Sequence, residues 1–447
     1  MRTIVLLDEQ VDKLWGKQVV HKDAIYRMMR YVFRVDHESK VLLHNVVTGR
    51  LALLDEAEAQ AIEKLPNAYA PVLEQLVTEH YLVPEDYDEH QQVLNLRTIL
   101  GKLDDALPKA IEKYTILPTT ACNARCYYCF EQGAKIATMT KQTADDVVAF
   151  IKTHRDMRKP VAITWFGGEP TLATDRIDQI CEGLQSEGVD YQSDMTTNGY
   201  LFDGNMINRA KTLWHLQSVM ICFDGIEQNY NTIKSYIHPK ENPYERVMRN
   251  IGLLIDKQIL VKLRMNFDIG NYQDFEDLVC EAKRRFGVSP YLRVYVHPIV
   301  GKYKNKDGIV LHGSDEWFTE KICELNSVSC SAGLLKRETL LPSLRYKRCQ
   351  AANGRALTIT PEGNLVSCPE QFGDDQIKGN VLTGVTNEDI VRSWNETVSM
   401  QKCETCCVLP NCIQMRYCSV SGSCCYLPEL MLRFSETAIS LMKRYEQ

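Results

Sequence analysis

Residues 114–129 read YTILPTTACNARCYYC. A short apolar, β-branched run gives way to a loop with three cysteines, Cys122, Cys126 and Cys129. The run predicts a strand, and the loop puts three soft ligands at its end. Downstream the same kind of strand recurs as VAITWFGG, YQSDMTTN, SVMICFDG, LVKLRMNFD and YLRVYVHPI. Helical periodicity lies between them, near 142–155, 173–187, 204–216, 244–256 and 272–285. Six strands alternating with helices predict the α/β class, with a parallel sheet and right-handed crossovers. Parallel β/α barrels place their chemistry at the C-terminal ends of the strands. The unusual residues sit there: Cys122 after the first strand, Gly167-Gly168-Glu169-Pro170 after the second, Thr197-Asn198-Gly199 after the third, Asp224-Gly225 after the fourth.

The whole chain has 447 residues, 52 basic and 58 acidic side chains, net charge -6, and 17 cysteines. The acidic balance speaks against a protein that grips nucleic acid. An apolar fraction of 45% speaks against global disorder. No stretch approaches the ~20 apolar residues of a membrane span, and the N-terminal run lacks the pattern of a signal peptide. The expectation is a cytoplasmic chain, in which clustered cysteines mean metal or redox chemistry rather than disulfides. Eleven of them follow residue 320.

Residues 1–95 read as a small module. Alternating and β-branched runs, YRMMRYVFRVD, SKVLLHNVVTG and RLALLD, precede two helical stretches, DEAEAQAIEKL and APVLEQLVTEH. That order is winged-helix-like, and PEDYDEHQQ reads as the linker out of it. Residues 96–300 hold the β/α beat. Residues 301–447 carry the cysteine-rich end, with a hairpin turn at Pro361-Glu362-Gly363 and a last apolar-periodic helix.

Three thiolates in one short loop can bind three irons of a 4Fe–4S cube and leave the fourth iron open to a small molecule. The competing readings are a zinc knuckle and three buried cysteines. A zinc knuckle wants a fourth Cys or His nearby; the nearest downstream histidine, His154, ends a predicted helix. Paired glycines let a main chain approach a ligand closely, and a carboxylate suits an ammonium partner.

With the C-x3-C-x2-C spacing and Tyr128 before the last cysteine, the chain resembles the radical S-adenosylmethionine (radical SAM) superfamily from about 113 to 300. The resemblance implies a partial six-stranded (β/α)6 barrel. It implies that Cys122, Cys126 and Cys129 hold the cluster. In that family S-adenosylmethionine chelates the open iron, and its reductive cleavage yields a 5′-deoxyadenosyl radical. Gly167, Gly168, Glu169 and Pro170 look like the segment that meets the methionyl amino group. Thr197 and Asn198 look like the segment near the ribose. Cys222 and Asp224 resemble a Ser-x-Asp-Gly motif, with Cys222 in place of serine, a weaker hydrogen-bond donor. Arg264 and Asn266 lie where the family often has a cofactor-contacting residue; ordinary strand bonding is as good a reading of each.

Cys349, Gly363 and Cys368, then Cys403-x2-Cys406-x5-Cys412, resemble the SPASM extension, which carries auxiliary 4Fe–4S clusters. That resemblance suggests Cys330, Cys349, Cys368 and Cys418 for one cluster. It suggests Cys403, Cys406 and Cys412 with Cys424 or Cys425 for the other. The run Ile-Gln-Met-Arg-Tyr before Cys418 departs from the family spacing. A zinc ribbon is the competing reading.

SPASM enzymes mostly modify peptides, so the expected function is a maturase that forms a thioether or carbon–carbon crosslink in a ribosomally made precursor peptide. The expected partners are that peptide with its leader and a reducing protein such as flavodoxin or ferredoxin. Neither a membrane nor a nucleic acid is expected. The alternatives are a sulfatase-maturase-like formylglycine-forming enzyme and, from another class, an iron–sulfur carrier or peptide-binding partner.

Overall fold

The computed structural model describes residues 2–4, 14–16, 18–65, 71–106, 110–299, 316–336, 340–345, 354–371, 373–395, 401–412 and 426–444. The N-terminal part holds β1 (Arg2–Ile4), β2 (Tyr26–Met28), β3 (Val32–His37), β4 (Lys40–Asn45), β5 (Leu51–Leu54), α1 (Glu56–Ile62), α2 (Glu74–Thr78), β6 (Leu82–Pro84) and α3 (Glu89–Asp105). One sheet has the order β1-β5-β4-β3, and β2 pairs with β6. The boundary expected at residue 95 falls inside α3. The acidic stretch that reads as a linker starts this helix instead: Asp88 accepts from the Gln91 N–H, and buried Glu89 pairs with Arg27 at 2.7 Å.

The β/α beat folds as expected, with β7 (Lys113–Thr119), α4 (Lys141–His154), β8 (Val161–Gly167), α5 (Thr174–Ser186), β9 (Tyr191–Thr197), α6 (Gly204–Thr212), β10 (Leu216–Phe223), α7 (Glu227–Lys234), α8 (Pro243–Asp256), β11 (Leu260–Phe267), α9 (Asp274–Phe286) and β12 (Leu292–Pro298). Adjacent strands pair in parallel from β7 to β12. Alternation along each strand separates two faces. Val261, Leu263 and Met265 of β11, like Leu292, Val294 and Val296 of β12, pack under the helices. Helix α8 answers with Val247, Met248, Ile251 and Leu254, an apolar stripe at helical spacing. The opposite strand face is polar: the register sets Cys222 beside Arg264, Arg264 beside Tyr295, and Asn266 beside His297. This is an open α/β partial barrel with a polar lumen.

The C-terminal part adds α10 (Glu316–Ser331), β13 (Ala356–Ile359), β14 (Asn364–Val366), β15 (Gly379–Asn380), β16 (Gly384–Val385), α11 (Glu388–Asn395) and α12 (Tyr426–Arg444). Strand β13 pairs in parallel with β7, so the six-stranded sheet continues as β7-β13-β14-β15-β16. Leu357, Ile359 and Leu365 thereby join the barrel core.

The N-terminal module is not a separate body. Leu344, Leu409, Cys403 and Cys406 pack into its larger core. Phe33, Val35, Leu42 and Val46 form a second core with Val408, Leu430, Phe434 and Met442. Phe434 lies at 5.3 Å from the rings of both Phe33 and His44. Truncating Phe434 to alanine leaves a large hole there, worth about 3–5 kcal/mol. Phe434→Ala should lower the unfolding midpoint and speed hydrogen exchange in β3 and β4 as well as in α12. Unchanged exchange in β3 and β4 would refute the shared core.

Candidate active site

The loop that carries Cys122, Cys126 and Cys129 is fastened from both sides. The Arg125 N–H donates to the Lys234 carbonyl at 2.9 Å, and the Ile237 N–H donates to the Asn123 carbonyl at 2.8 Å. The Asn198 side chain at the end of β9 donates to Asn123 Oδ1 at 2.7 Å. The Ala124 N–H points at the Cys122 sulfur, 3.4 Å away. The end of β8 lies directly against the same loop. A Cβ on Gly167, which has φ +106°, would sit 2.3 Å from the Thr119 carbonyl oxygen, and one on Gly168 would sit 2.3 Å from that of Ala121. Only glycine allows this approach.

Glu169 is fully buried and ties β8 to β9. Its Oε1 accepts from the Thr171 N–H, the Thr171 hydroxyl and the Thr197 hydroxyl (2.8 Å), and its Oε2 accepts from the Asn198 N–H at 2.8 Å. Burial raises its carboxyl pKa above the ordinary value, against the pull of those donors. The carboxylate is thus largely used within the protein, with acceptor capacity left on Oε2. Pro170 begins the short turn that follows, also buried.

Asp224, Lys234, Tyr128 and Asn266 form a second buried knot. The Tyr128 hydroxyl donates to Asp224 Oδ1 at 2.6 Å and accepts from Lys234 Nζ at 3.1 Å and Asn266 Nδ2 at 2.9 Å. Asp224 Oδ2 meets the ammonium at 2.9 Å, off the hydrogen-bond direction. Asn271 donates to the carbonyls of Asp224 and Asn266, both at 3.0 Å, and locks the ends of β10 and β11 together. The Tyr127 hydroxyl donates to Asp268 on the far side of the loop. Cys222 does not stand alone as a serine substitute: Arg264 Nη2 approaches its sulfur to 3.2 Å. His297 lines the same wall, and burial followed by the Arg264 charge brings its pKa down to about 4.

The sequence-expected residues of the barrel therefore come together at one end of the sheet. Lys234, Tyr127, Asp268 and Asn271 join them without having been expected. The spacing of Tyr230 and Lys234, both buried on one face of α7, was the available signal. A lysine on a polar helix ordinarily reads as solvated.

Burial pushes the Cys126 thiol up to about 12 and the Cys122 thiol up to about 11, and raises Cys129 as well. Ligand thiols of this kind ionise when metal binds, releasing their protons. No trio of His, Cys, Asp or Glu among the described residues closes around a single-ion point. A cube takes each thiolate on a different iron, so its ligands need not converge on one point, and a three-thiol loop fits it.

Of the expected auxiliary ligands, Cys330 ends α10, Cys368 follows β14, and Cys403, Cys406 and Cys412 lie against the N-terminal module. Cys349, Cys418, Cys424 and Cys425 lie outside the described residues. Buried Lys378 donates to Ser367 Oγ at 3.0 Å, next to Cys368, and burial brings its pKa down to about 8.

Residues 116–279 match the family model of the radical SAM superfamily. The chain carries a radical SAM domain. Such a domain implies a 4Fe–4S cluster and S-adenosylmethionine, and Cys122, Cys126 and Cys129 are the residues that would hold the cluster. A sequence relative, a probable GTP 3′,8-cyclase of Saccharolobus solfataricus, is 28% identical over 301 residues, covering 64% of this chain and 92% of its own. Among solved structures, anSMEcpe with bound AdoMet superposes with a TM-score of 0.57 at 15% identity, over 75% of this chain and 98% of its own. Streptococcus suis SuiB bound to S-adenosylmethionine gives 0.51 at 13% identity, over 88% of this chain and 96% of its own. SuiB bound to precursor peptide SuiA gives 0.50. At these identities the likeness is one of fold. No helix among the described residues is long and apolar enough to cross a membrane.

The glycine contact makes a direct test of the radical SAM site. Gly168→Ala forces backbone against backbone and should cost the domain most of its triad-bound iron. Gly204→Ala, where an added methyl meets nothing within 4 Å, should cost none. Iron analysis of the two variants after anaerobic reconstitution decides it.

Proposed function

We propose that this radical SAM enzyme modifies a side chain of a ribosomally made precursor peptide, forming a thioether or carbon–carbon crosslink. The observation that carries this reading is the N-terminal sheet, packed on the cysteine-bearing segment 403–412 of the same chain. A small sheet with a free edge is suited to bind an extended peptide as an added strand. Among the described residues strand β3 ends that sheet on one side, and on the other β5 already pairs with β1. A leader would pair with β3 or displace β1. The likeness to SuiB runs over 88% of this chain and takes in both flanking regions.

When bound, the cluster and S-adenosylmethionine supply a 5′-deoxyadenosyl radical that takes a hydrogen from the substrate. The chain's own part is to seat that substrate in the lumen against Asp194, Thr196, Met220, Arg264, Tyr295 and His297, the polar faces of β9 to β12. Three clusters in all, with flavodoxin or ferredoxin as the reductant, complete the proposal. The domain limits 1–95, 96–300 and 301–447 serve as functional regions within one packed unit.

A second reading, a purine nucleotide cyclase, draws on the relatives named as probable GTP 3′,8-cyclases. The formylglycine reading wants a base after Cys368; Glu370 is there, but exposed. A carrier without radical activity has no use for the glycine approach and the buried Glu169 beside the triad.

The full chain, reconstituted anaerobically, should bind about twelve irons, three cubes of four. It should release 5′-deoxyadenosine on reduction with S-adenosylmethionine. Cys126→Ala should remove about a third of the iron and all of the release. Zinc without iron at the C-terminal cysteines would overturn the auxiliary clusters. Mass analysis then separates the two substrate readings. A short peptide encoded beside the gene should lose two hydrogens per crosslink on co-expression, with GTP left unconsumed. GTP consumption with an unaltered peptide would favour the cyclase.

A further inference from the structure

Helix α7 ends on Lys234, where Ser235 turns left-handed at φ 45°. The Lys234 side chain is 3% exposed, so its charge must be met within the protein. Among the described residues its ion-pair partner is Asp224, and its Nζ also donates to Tyr128 and lies 5.7 Å from that ring's centroid. Burial works against the ammonium and Asp224 works for it, so its pKa stands well above the usual lysine value. The Tyr128 it meets lies two residues after Cys126 and one before Cys129, so the ammonium sits beside the triad's own loop. Arg125, the basic residue within the loop itself, is exposed. Lys234 thus touches the loop twice: its carbonyl holds the Arg125 N–H, and its ammonium holds the ring of Tyr128, the residue before Cys129.

We propose that Lys234 is a positioning residue for the radical SAM cluster and its fixed counter-charge. It stabilises the more negative, reduced form of a cluster held by Cys122, Cys126 and Cys129, and so raises its reduction potential. Asp224 opposes it and sets the balance. Net local charge, hydrogen bonding and burial are the levers by which a protein tunes such a cluster. The inference rests on the radical SAM reading of the triad and adds the charges that govern it.

The test is potentiometric EPR on the reconstituted full chain, following the reduced-cluster signal that Cys126→Ala removes. Lys234→Met should lower the midpoint by at least a tenfold change in the reduction equilibrium, about 59 mV for one electron. Lys234→Arg should restore most of it. Asp224→Asn, which keeps the shape and drops the charge, should move the midpoint upward. Unchanged midpoints, or shifts of the same sign in Lys234→Met and Asp224→Asn, would overturn the proposal. Should Lys234→Met fail to hold the cluster, the sign of the Asp224→Asn shift decides alone: downward or nil overturns it. If Cys126→Ala removes no component of the reduced-state signal, the triad reading itself falls, a separate outcome.

Discussion

Polar groups at the ends of parallel strands have to be satisfied away from water, and this barrel does so by making each strand end bond the next. A buried carboxylate without donors would cost several kcal/mol. Glu169 finds its four donors on its own turn and on β9. Asp224 finds its partners on the cysteine loop and on α7. The consequence is mechanical as well as electrostatic. The loop that carries the three thiols is shaped by groups on five other elements, β8 to β11 and α7.

The same constraint explains how the pieces divide the work. Glycines at 167 and 168 remove side-chain bulk where β8 must lie against the loop, and aromatic and amide side chains at 128 and 266 fill the next gap. The lumen below is lined by groups that are polar yet partly enclosed, such as Arg264 beside Cys222 and Tyr295.

Much of the barrel was legible because its signals are local. Strand–helix alternation and the cysteine spacing each occupy a few residues. Helix α7 escaped notice because EQNYNTIK is polar, with Tyr230 and Lys234 as its buried side chains. The hairpin at Pro361-Glu362-Gly363 was readable, but its parallel pairing with β7 was not; Ala356 and Lys113 pair across more than two hundred residues without a local mark. The acidic stretch before residue 95 resembled a linker because charge dominates it, whereas the helix start depends on Asp88 as cap and on Arg27 as a distant partner for Glu89. Four expected auxiliary ligands fall outside the described residues, and spacing alone does not apportion the cysteines between two clusters.

The core shared by β3, β4 and α12 has a consequence for biosynthesis. Val46 and Val408 pack in one cluster. At about 5–20 residues per second, a ribosome needs roughly 20–70 s to travel from one to the other. During that interval the sheet face that carries Phe33, Val35, Leu42 and Val46 lacks Val408, Leu430, Phe434 and Met442, while its other face is already covered by α1 and α2. A nascent chain of this kind invites chaperone occupancy, and translation arrested before α12 should leave a sticky, protease-sensitive amino terminus.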